Sequence, residues 1–194
     1  MKEASNQYLC PYCSHKYQSF DVLKTHVLEA HAGEPAPQPE GLINLTVNGE
    51  KHQVHVESQW TLYQLLHDQM GLLGIKMFCD RGACGSCTVI MDGRPILSCM
   101  TFAIECDGVV IETAEGIAEA NHPLVDSYVK HHTMQCGYCT PGFITTAKAL
   151  LDKNPEPTEE EIRKALSGNL CRCGTYPQHP KAVLEAAEHL KGGK

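Results

Sequence analysis

Eleven cysteines stand in this chain, at positions 10, 13, 79, 84, 87, 99, 106, 136, 139, 171 and 173. An odd count, with an opening Met1-Lys2-Glu3-Ala4-Ser5-Asn6 that lacks the apolar core of a secretion signal, argues against a disulfide framework. The chain is therefore expected in the cytoplasm, where thiols stay reduced and are free to coordinate metals. The spacing divides them into sets. Cys10-x2-Cys13-x12-His26-x4-His31 offers two thiolates from a tight turn and two imidazoles about one helical turn apart, a tetrahedral donor set suited to Zn²⁺. Cys79-x4-Cys84-x2-Cys87, followed by Cys99, carries the C-x4-C-x2-C spacing of a [2Fe-2S] loop. Its Gly82, Ala83, Gly85 and Ser86 are small enough for backbone N–H groups to approach bridging sulfides. A four-cysteine zinc ribbon is the rival, but it would repeat C-x2-C twice at wider separation. Cys136-x2-Cys139 with Cys171-x-Cys173 is compatible, by spacing alone, with zinc or with iron-sulfur. Cys106 is left over and reads as a small buried thiol.

These sets must be positioned by ordinary globular elements. The 194 residues are 42% hydrophobic and 20% charged, enough for folded domains, and no apolar run approaches the length of a membrane span. Lys and Arg number 16 against 23 Asp and Glu, a formal charge of −7 that disfavours nucleic acid as a partner. Residues 32–41, with Pro35, Pro37 and Pro39, read as an extended linker after a compact unit at 1–31. Leu42–Val47 and Gln53–Val56 alternate around Asn48-Gly49, a hairpin signal. Trp60 to Met70 has helical spacing, with Gly71 where a helix would stop. Thr88–Met91 and Pro95–Leu97 flank Asp92-Gly93, and Val109–Ile111 adds a strand, giving a small mixed β domain over 42–115.

After Glu115-Gly116 the pattern turns helical, over 116–194. Four helices are expected: His122–His132; Gly142–Lys153, with Thr140 as a cap and Pro141 at its start; one launched by the capping box Thr158…Glu161 and stopping at Gly168; and Pro180–Leu190. The histidines outside the finger, including His131 and His132, read as solvated groups at helix ends. No nucleophile-base-oxyanion set, P-loop or G-x-G-x-x-G fingerprint is present, so no bond chemistry is expected on this chain.

Residues 8–31 resemble the C2H2 zinc-finger family, with Tyr8, Tyr17 and Leu23 at the positions where a ββα finger packs its apolar residues. The positions that would face bases hold Ser19, Val22 and Thr25, without Arg or Asn. Lys2, Lys16 and Lys24 balance Glu3, Asp21 and Glu29, so a docking or stabilising role is favoured over DNA reading.

Residues 42–190 resemble the small iron-sulfur subunit of the molybdenum hydroxylases, the xanthine dehydrogenase and aldehyde oxidoreductase family. The matching stretches are CDRGACGSCTVIMDG at 79–93, SC at 98–99, ETAEGI at 112–117, QCGYCTPGF at 135–143 and GNLCRCGTY at 168–176. The resemblance implies an α+β chain in which the ββα zinc finger precedes a β-grasp plant-type ferredoxin domain and a four-helix [2Fe-2S]-binding domain. It implies one [2Fe-2S] cluster on Cys79, Cys84, Cys87 and Cys99 and a second on Cys136, Cys139, Cys171 and Cys173. By motif position Gln135 and Cys173 would approach the molybdopterin of a large partner subunit. Electrons would leave by an FAD subunit or an external carrier. Gly174-Thr175-Tyr176 departs from the family's usual Thr-Gly-Tyr and looks like the isoquinoline and nicotinate oxidoreductase group, which leaves the acceptor open. A reductive relative of the aryl-CoA reductase type, and a metal-dependent regulatory nucleic-acid-binding protein, are the alternatives.

Because every iron-sulfur ligand implied by the resemblance follows residue 41, removing residues 1–40 is expected to leave both clusters assembled. Iron content and electron paramagnetic resonance of the truncated chain check this, and loss of both signals would contradict a modular finger.

Overall fold

The computed structural model describes residues 8–34 and 41–192. Residues 1–7, 35–40 and 193–194 lie outside that description, and with them the start of the expected finger and the three prolines of the expected linker. The chain divides into two compact units, Met1–Glu40 and Gly41–Lys194.

In the first unit, strands β1 (Tyr8–Leu9) and β2 (Lys16–Tyr17) pair antiparallel, Tyr8 opposite Tyr17, and helix α1 (Phe20–Ala30) follows. Ser19 caps α1, its hydroxyl accepting from the Asp21 N–H. Leu23 is buried, and Tyr8 meets Phe20 edge-on at 5.9 Å.

The second unit begins with a five-stranded mixed sheet. Its strands are β3 (Leu42–Val47), β4 (Glu50–His55), β5 (Thr88–Met91), β6 (Arg94–Leu97) and β7 (Val110–Glu112), in the order β4-β3-β7-β5-β6. Only β3 and β7 run parallel. Both hairpins turn where the Asn-Gly and Asp-Gly pairs stand, with Asn48 at φ 50 and Asp92 at φ 49, as the right-handed twist of the flanking strands requires. Period-two alternation places Ile43, Leu45 and Val47 of β3 in one core with Leu62, Leu65, Leu66, Val89 and Ile111.

The expected helix from Trp60 to Met70 is shorter and wider than an α-helix. Trp60, whose carbonyl accepts from the Ala103 N–H, and Thr61, bridged to Phe102, enter as extended chain, and the helix opens at Leu62 and Tyr63, with the Leu62 N–H given to the Thr101 carbonyl. Its regular part, Gln64–Gln69, is a π-type turn with the Met70 N–H bonded to the Leu65 carbonyl. Thr61 and Gln64 bond reciprocally at its start, a capping pair that sequence reading passed over.

Five α-helices follow: α2 (Ala114–Glu119), α3 (Pro123–Lys130), α4 (Thr140–Lys153), α5 (Glu159–Ala165) and α6 (His179–Gly192). The short α2 was not expected. Gly116 lies within it because a side chain there would collide with Asn48, which itself bonds Thr113. Thr140 is the first helical residue of α4 rather than its cap, a place taken by Cys139. Thr158 and Glu161 form the expected capping box. The second core gathers Ile117, Leu124, Tyr128, Phe143, Ala147, Leu151, Ile162 and Val183. Among the described residues, no helix is long and apolar enough to cross a membrane.

Helix α4 lies against the sheet because Gly142 has no side chain. A Cβ there would sit 2.4 Å from the Gly85 carbonyl oxygen and 3.1 Å from the Ser86 Cα, backbone that has no rotamer to yield. Gly142→Ala is therefore expected to destabilise the chain by about 1–3 kcal/mol despite its better helix propensity, as measured by denaturant unfolding.

Candidate functional site

The donor atoms of Cys10, Cys13, His26 and His31 all lie within 4.8 Å of one another. The β1–β2 turn presents the two sulfurs and the last two turns of α1 present the imidazoles, with Cys13 Sγ 3.3 Å from His26 Nε2. Burial alone would raise the Cys10 thiol, but the backbone N–H groups of Cys13 and Tyr12, with His31 beside them, hold it below the usual thiol range. His31 Nδ1 is bonded to the Glu34 carboxylate at 3.0 Å, while its Nε2 is buried without a protein partner. A carboxylate on one ring nitrogen and an unsatisfied second nitrogen facing two sulfurs is the arrangement of a metal-bound histidine, so the donors fit Zn²⁺. Sequence reading missed Glu34. His15 stays outside this set, exposed, with Nδ1 3.2 Å from the Cys13 sulfur.

Cys79, Cys84 and Cys87 lie on the loop between the π-type turn and β5, and Cys99 on a single 3₁₀ turn, Ser98–Met100, after β6. Cys84, Cys87 and Cys99 are buried, and the Cys87 and Cys99 sulfurs are 3.3 Å apart. Cys79 is opposite in character. Despite the raising effect of burial, N–H groups of Arg81 and Ala83 and the adjacent Cys84 lower its thiol to about 7, with the Ala83 N–H 3.2 Å from its sulfur. Burial pushes the Cys87 thiol up to about 12, and the neighbouring Cys99 and Cys84 add to it. Thiols crowded this closely in low dielectric resist ionising together unless a cation compensates them, which a polynuclear iron group does. The donor set and the N–H-lined loop fit a [2Fe-2S] cluster. Cys106 is fully buried outside this set, its thiol raised to about 11, first by burial.

Cys136 and Cys139 precede and cap α4, and Cys171 and Cys173 lie between α5 and α6. Cys136, Cys139 and Cys171 line one cavity of about 770 Å³. Cys173 is tied to the same region through its carbonyl, which accepts from the Gln135 amide at 3.2 Å. Burial, then Cys171, raises the Cys139 thiol to about 12. Cys171 is lowered to about 7, because the Thr175 hydroxyl and the N–H groups of Thr175 and Gly174 outweigh its burial. Beside Cys139, the Thr140 hydroxyl is buried with no protein partner. Three sulfurs brought to the wall of one cavity fit a sulfur-rich group there as well.

The two cysteine sites are held together directly. The Leu170 N–H donates to the Cys84 carbonyl at 2.9 Å, and the buried Asn169 amide donates to the Gly85 carbonyl at 3.0 Å. Gly85, at φ +72, makes this possible, since a Cβ there would lie 2.6 Å from the Gly168 carbonyl oxygen. One histidine expectation is overturned. His179 is not solvated; it is 1% exposed and stacked on Phe143, because α6 turns its first residue into the second core.

Comparison with known proteins matches a 2Fe-2S iron-sulfur cluster binding domain at residues 45–108 and a [2Fe-2S] binding domain at 113–184. The chain is 48% identical over 148 residues to the nicotinate dehydrogenase small FeS subunit of Eubacterium barkeri, covering 75% of this chain and 94% of that one. It is 44% identical over 153 residues to the nicotine 6-hydroxylase small subunit of Paenarthrobacter nicotinovorans, covering 78% and 93%. The crystal structure of quinoline 2-oxidoreductase from Pseudomonas putida 86 aligns with a TM-score of 0.74 at 40% identity, over 78% of this chain and 96% of that one.

Since the Asn169 amide is the side-chain link between the two cysteine loops, Asn169→Ala is expected to cost about 1–3 kcal/mol. Denaturant unfolding checks this, and an unchanged midpoint would mean that the Leu170 N–H alone holds the loops.

Proposed function

The chain belongs to the family of iron-sulfur subunits of the molybdenum hydroxylases, and from that premise we propose that it is an electron-transfer subunit, working between a molybdopterin centre on a large partner subunit and flavin or an external acceptor. The observation that carries this reading is the direct hydrogen bonding between the two cysteine loops, Leu170 N–H to the Cys84 carbonyl and the Asn169 side-chain amide to the Gly85 carbonyl. Two redox groups serve one path only if the protein holds them close and in fixed relation, and these bonds do so.

In this reading residues 42–115 form a ferredoxin-like domain whose Cys79, Cys84, Cys87 and Cys99 hold one [2Fe-2S] cluster. Residues 116–194 form the helical domain whose Cys136, Cys139, Cys171 and Cys173 hold the other. Each cluster, when bound, supplies a site that takes up and gives back a single electron. The chain's own residues provide the rest. The N–H groups of Arg81 and Ala83 at Cys79, and of Thr175 and Gly174 at Cys171, favour ionised sulfur. The burial of Cys84, Cys87 and Cys99 keeps water from the first site. The large subunit docks at the open side of the helical site, where Cys136 is exposed among Phe78, Tyr138 and Leu170, residues that are 73%, 43% and 50% exposed. Gln135, held by the Cys173 carbonyl, then faces the pterin.

Residues 1–31 are a zinc finger on Cys10, Cys13, His26 and His31, joined by the linker at 32–41, and the finger stabilises or docks the assembly. Its formal neutrality keeps it from reading nucleic acid.

The test is the metal content of the complex recovered anaerobically from its native host. About four iron and about one zinc per chain are expected, with molybdenum in a co-purifying large subunit. Zinc without iron or partner would overturn the assignment. Cys173→Ser is expected to remove the helical-domain resonance and slow reduction by substrate while the ferredoxin-domain resonance persists; equal loss of both would contradict the division of ligands.

A further inference from the structure

We propose that Thr175 and His179 form a two-link hydrogen-bond relay to the sulfur of Cys171 that raises the reduction potential of the metal centre in the helical domain. This rests on the reading of Cys171 as a ligand of that centre. Nothing in the cysteine pattern pointed to either residue.

Thr175 is 4% exposed and its Oγ1 lies 3.2 Å from Cys171 Sγ and 3.1 Å from His179 Nε2. A threonine hydroxyl has one proton to give and two lone pairs to receive. A ligating thiolate is only an acceptor, so the Thr175 proton points at Cys171 and the hydroxyl must receive from the histidine. His179 is placed to give. Its ring stacks on Phe143 with centroids 4.0 Å apart and planes 3° apart, and Tyr128 lies 5.5 Å away on the aromatic wall. Burial lowers its pKa to about 4, so the imidazole is neutral and carries a single proton.

The position of that proton follows from the second nitrogen. Nδ1 is buried with no partner among the described residues. A proton on Nδ1 would bury an N–H without an acceptor and would turn Nε2 into a competitor with Cys171 for the one Thr175 proton. With the proton on Nε2 both conflicts vanish, and the chain of donors runs from His179 to Thr175 to Cys171. The Cys171 N–H does not share the task, since it is given to the Tyr176 hydroxyl at 2.7 Å. The Thr175 hydroxyl is therefore the side-chain donor aimed at this sulfur. A donor aimed at a ligand sulfur stabilises the more negative, reduced form, and so raises the potential. His179 fixes the hydroxyl's direction from the far side and acts as a positioning residue.

The experiment is a redox titration, followed by electron paramagnetic resonance, of the intact anaerobically purified complex carrying Thr175→Val, Thr175→Ser or His179→Phe. Thr175→Val keeps the shape and removes the donor. It is expected to lower the helical-domain midpoint so that the reduced-to-oxidised ratio at a fixed potential falls about tenfold, about 59 mV for one electron. Thr175→Ser restores the donor and the wild-type midpoint. His179→Phe keeps the stacking on Phe143 and shifts the midpoint the same way by less, while the ferredoxin-domain midpoint stays put in every variant. A retained helical-domain signal with an unmoved midpoint in Thr175→Val overturns the relay. Should that variant lose the signal, His179→Phe decides by the same criterion. Absence of a second resonance from the unmodified complex would instead overturn the ligand assignment, and the relay with it.

Discussion

The close approach of three backbone segments around Gly85 is the constraint on which the rest of the second unit depends. Its carbonyl accepts from the Asn169 amide, and the missing side chain of Gly142 lets α4 come down onto it. Gly85 itself has no room for a Cβ against Gly168. Each of the two hydrophobic cores could bury its own side chains without this junction. What neither core could do alone is bring the loop of Cys84 and Cys87 against the loop of Cys171 and Cys173. Close backbone approach at the glycines, with the buried Asn169 amide and the Leu170 N–H bonded across it, leaves little room for the separation of the two loops to vary.

Around that junction the thiols divide by environment in the same way twice. Cys79 and Cys171 are each lowered to about 7 by N–H and hydroxyl donors, while Cys87 and Cys139 are each raised to about 12 by burial beside another sulfur. The first kind leans toward thiolate, and the second toward the neutral thiol. In the proposed reading, a bound cluster would supply the charge that makes Cys87 and Cys139 thiolates tolerable inside the protein, coupling metal binding to the final packing of these loops. This electrostatic division also places the relay through Thr175 and His179 on the sulfur that already leans toward thiolate.

The first unit poses a different physical problem. Its strands are two residues each and Leu23 is its buried aliphatic residue, too small a core to hold a hairpin against a helix by apolar burial. In the proposed reading, a metal held by Cys10, Cys13, His26 and His31 would supply what the core lacks, with Glu34 bonded to the outer nitrogen of the last of them. The unit's chemistry is thus stabilisation before anything else, in keeping with a formally neutral surface.

Coordination chemistry is local, and for that reason much of this protein is legible in its sequence. The C-x4-C-x2-C run, the Cys136/Cys139 and Cys171/Cys173 pairs and the Cys10–His31 set define donor type, number and spacing within a few residues each. Short-range backbone rules likewise mark the turns at Asn48-Gly49 and Asp92-Gly93 and the capping box at Thr158 and Glu161. Where distant segments compete, local reading fails. Trp60 and Thr61 leave the expected helix because Ala103 and Phe102 pair with their backbone, and α2 forms where Gly116 meets Asn48. His179 sinks into the core against Phe143, and Glu34 finds His31 past the end of its helix. The sequence alone determined which donor atoms are candidates to hold metals, since residue type and spacing are read directly from it. Only the tertiary structure decided how close the two loops lie and which groups tune their sulfurs, because those distances are set by packing between residues far apart in the chain.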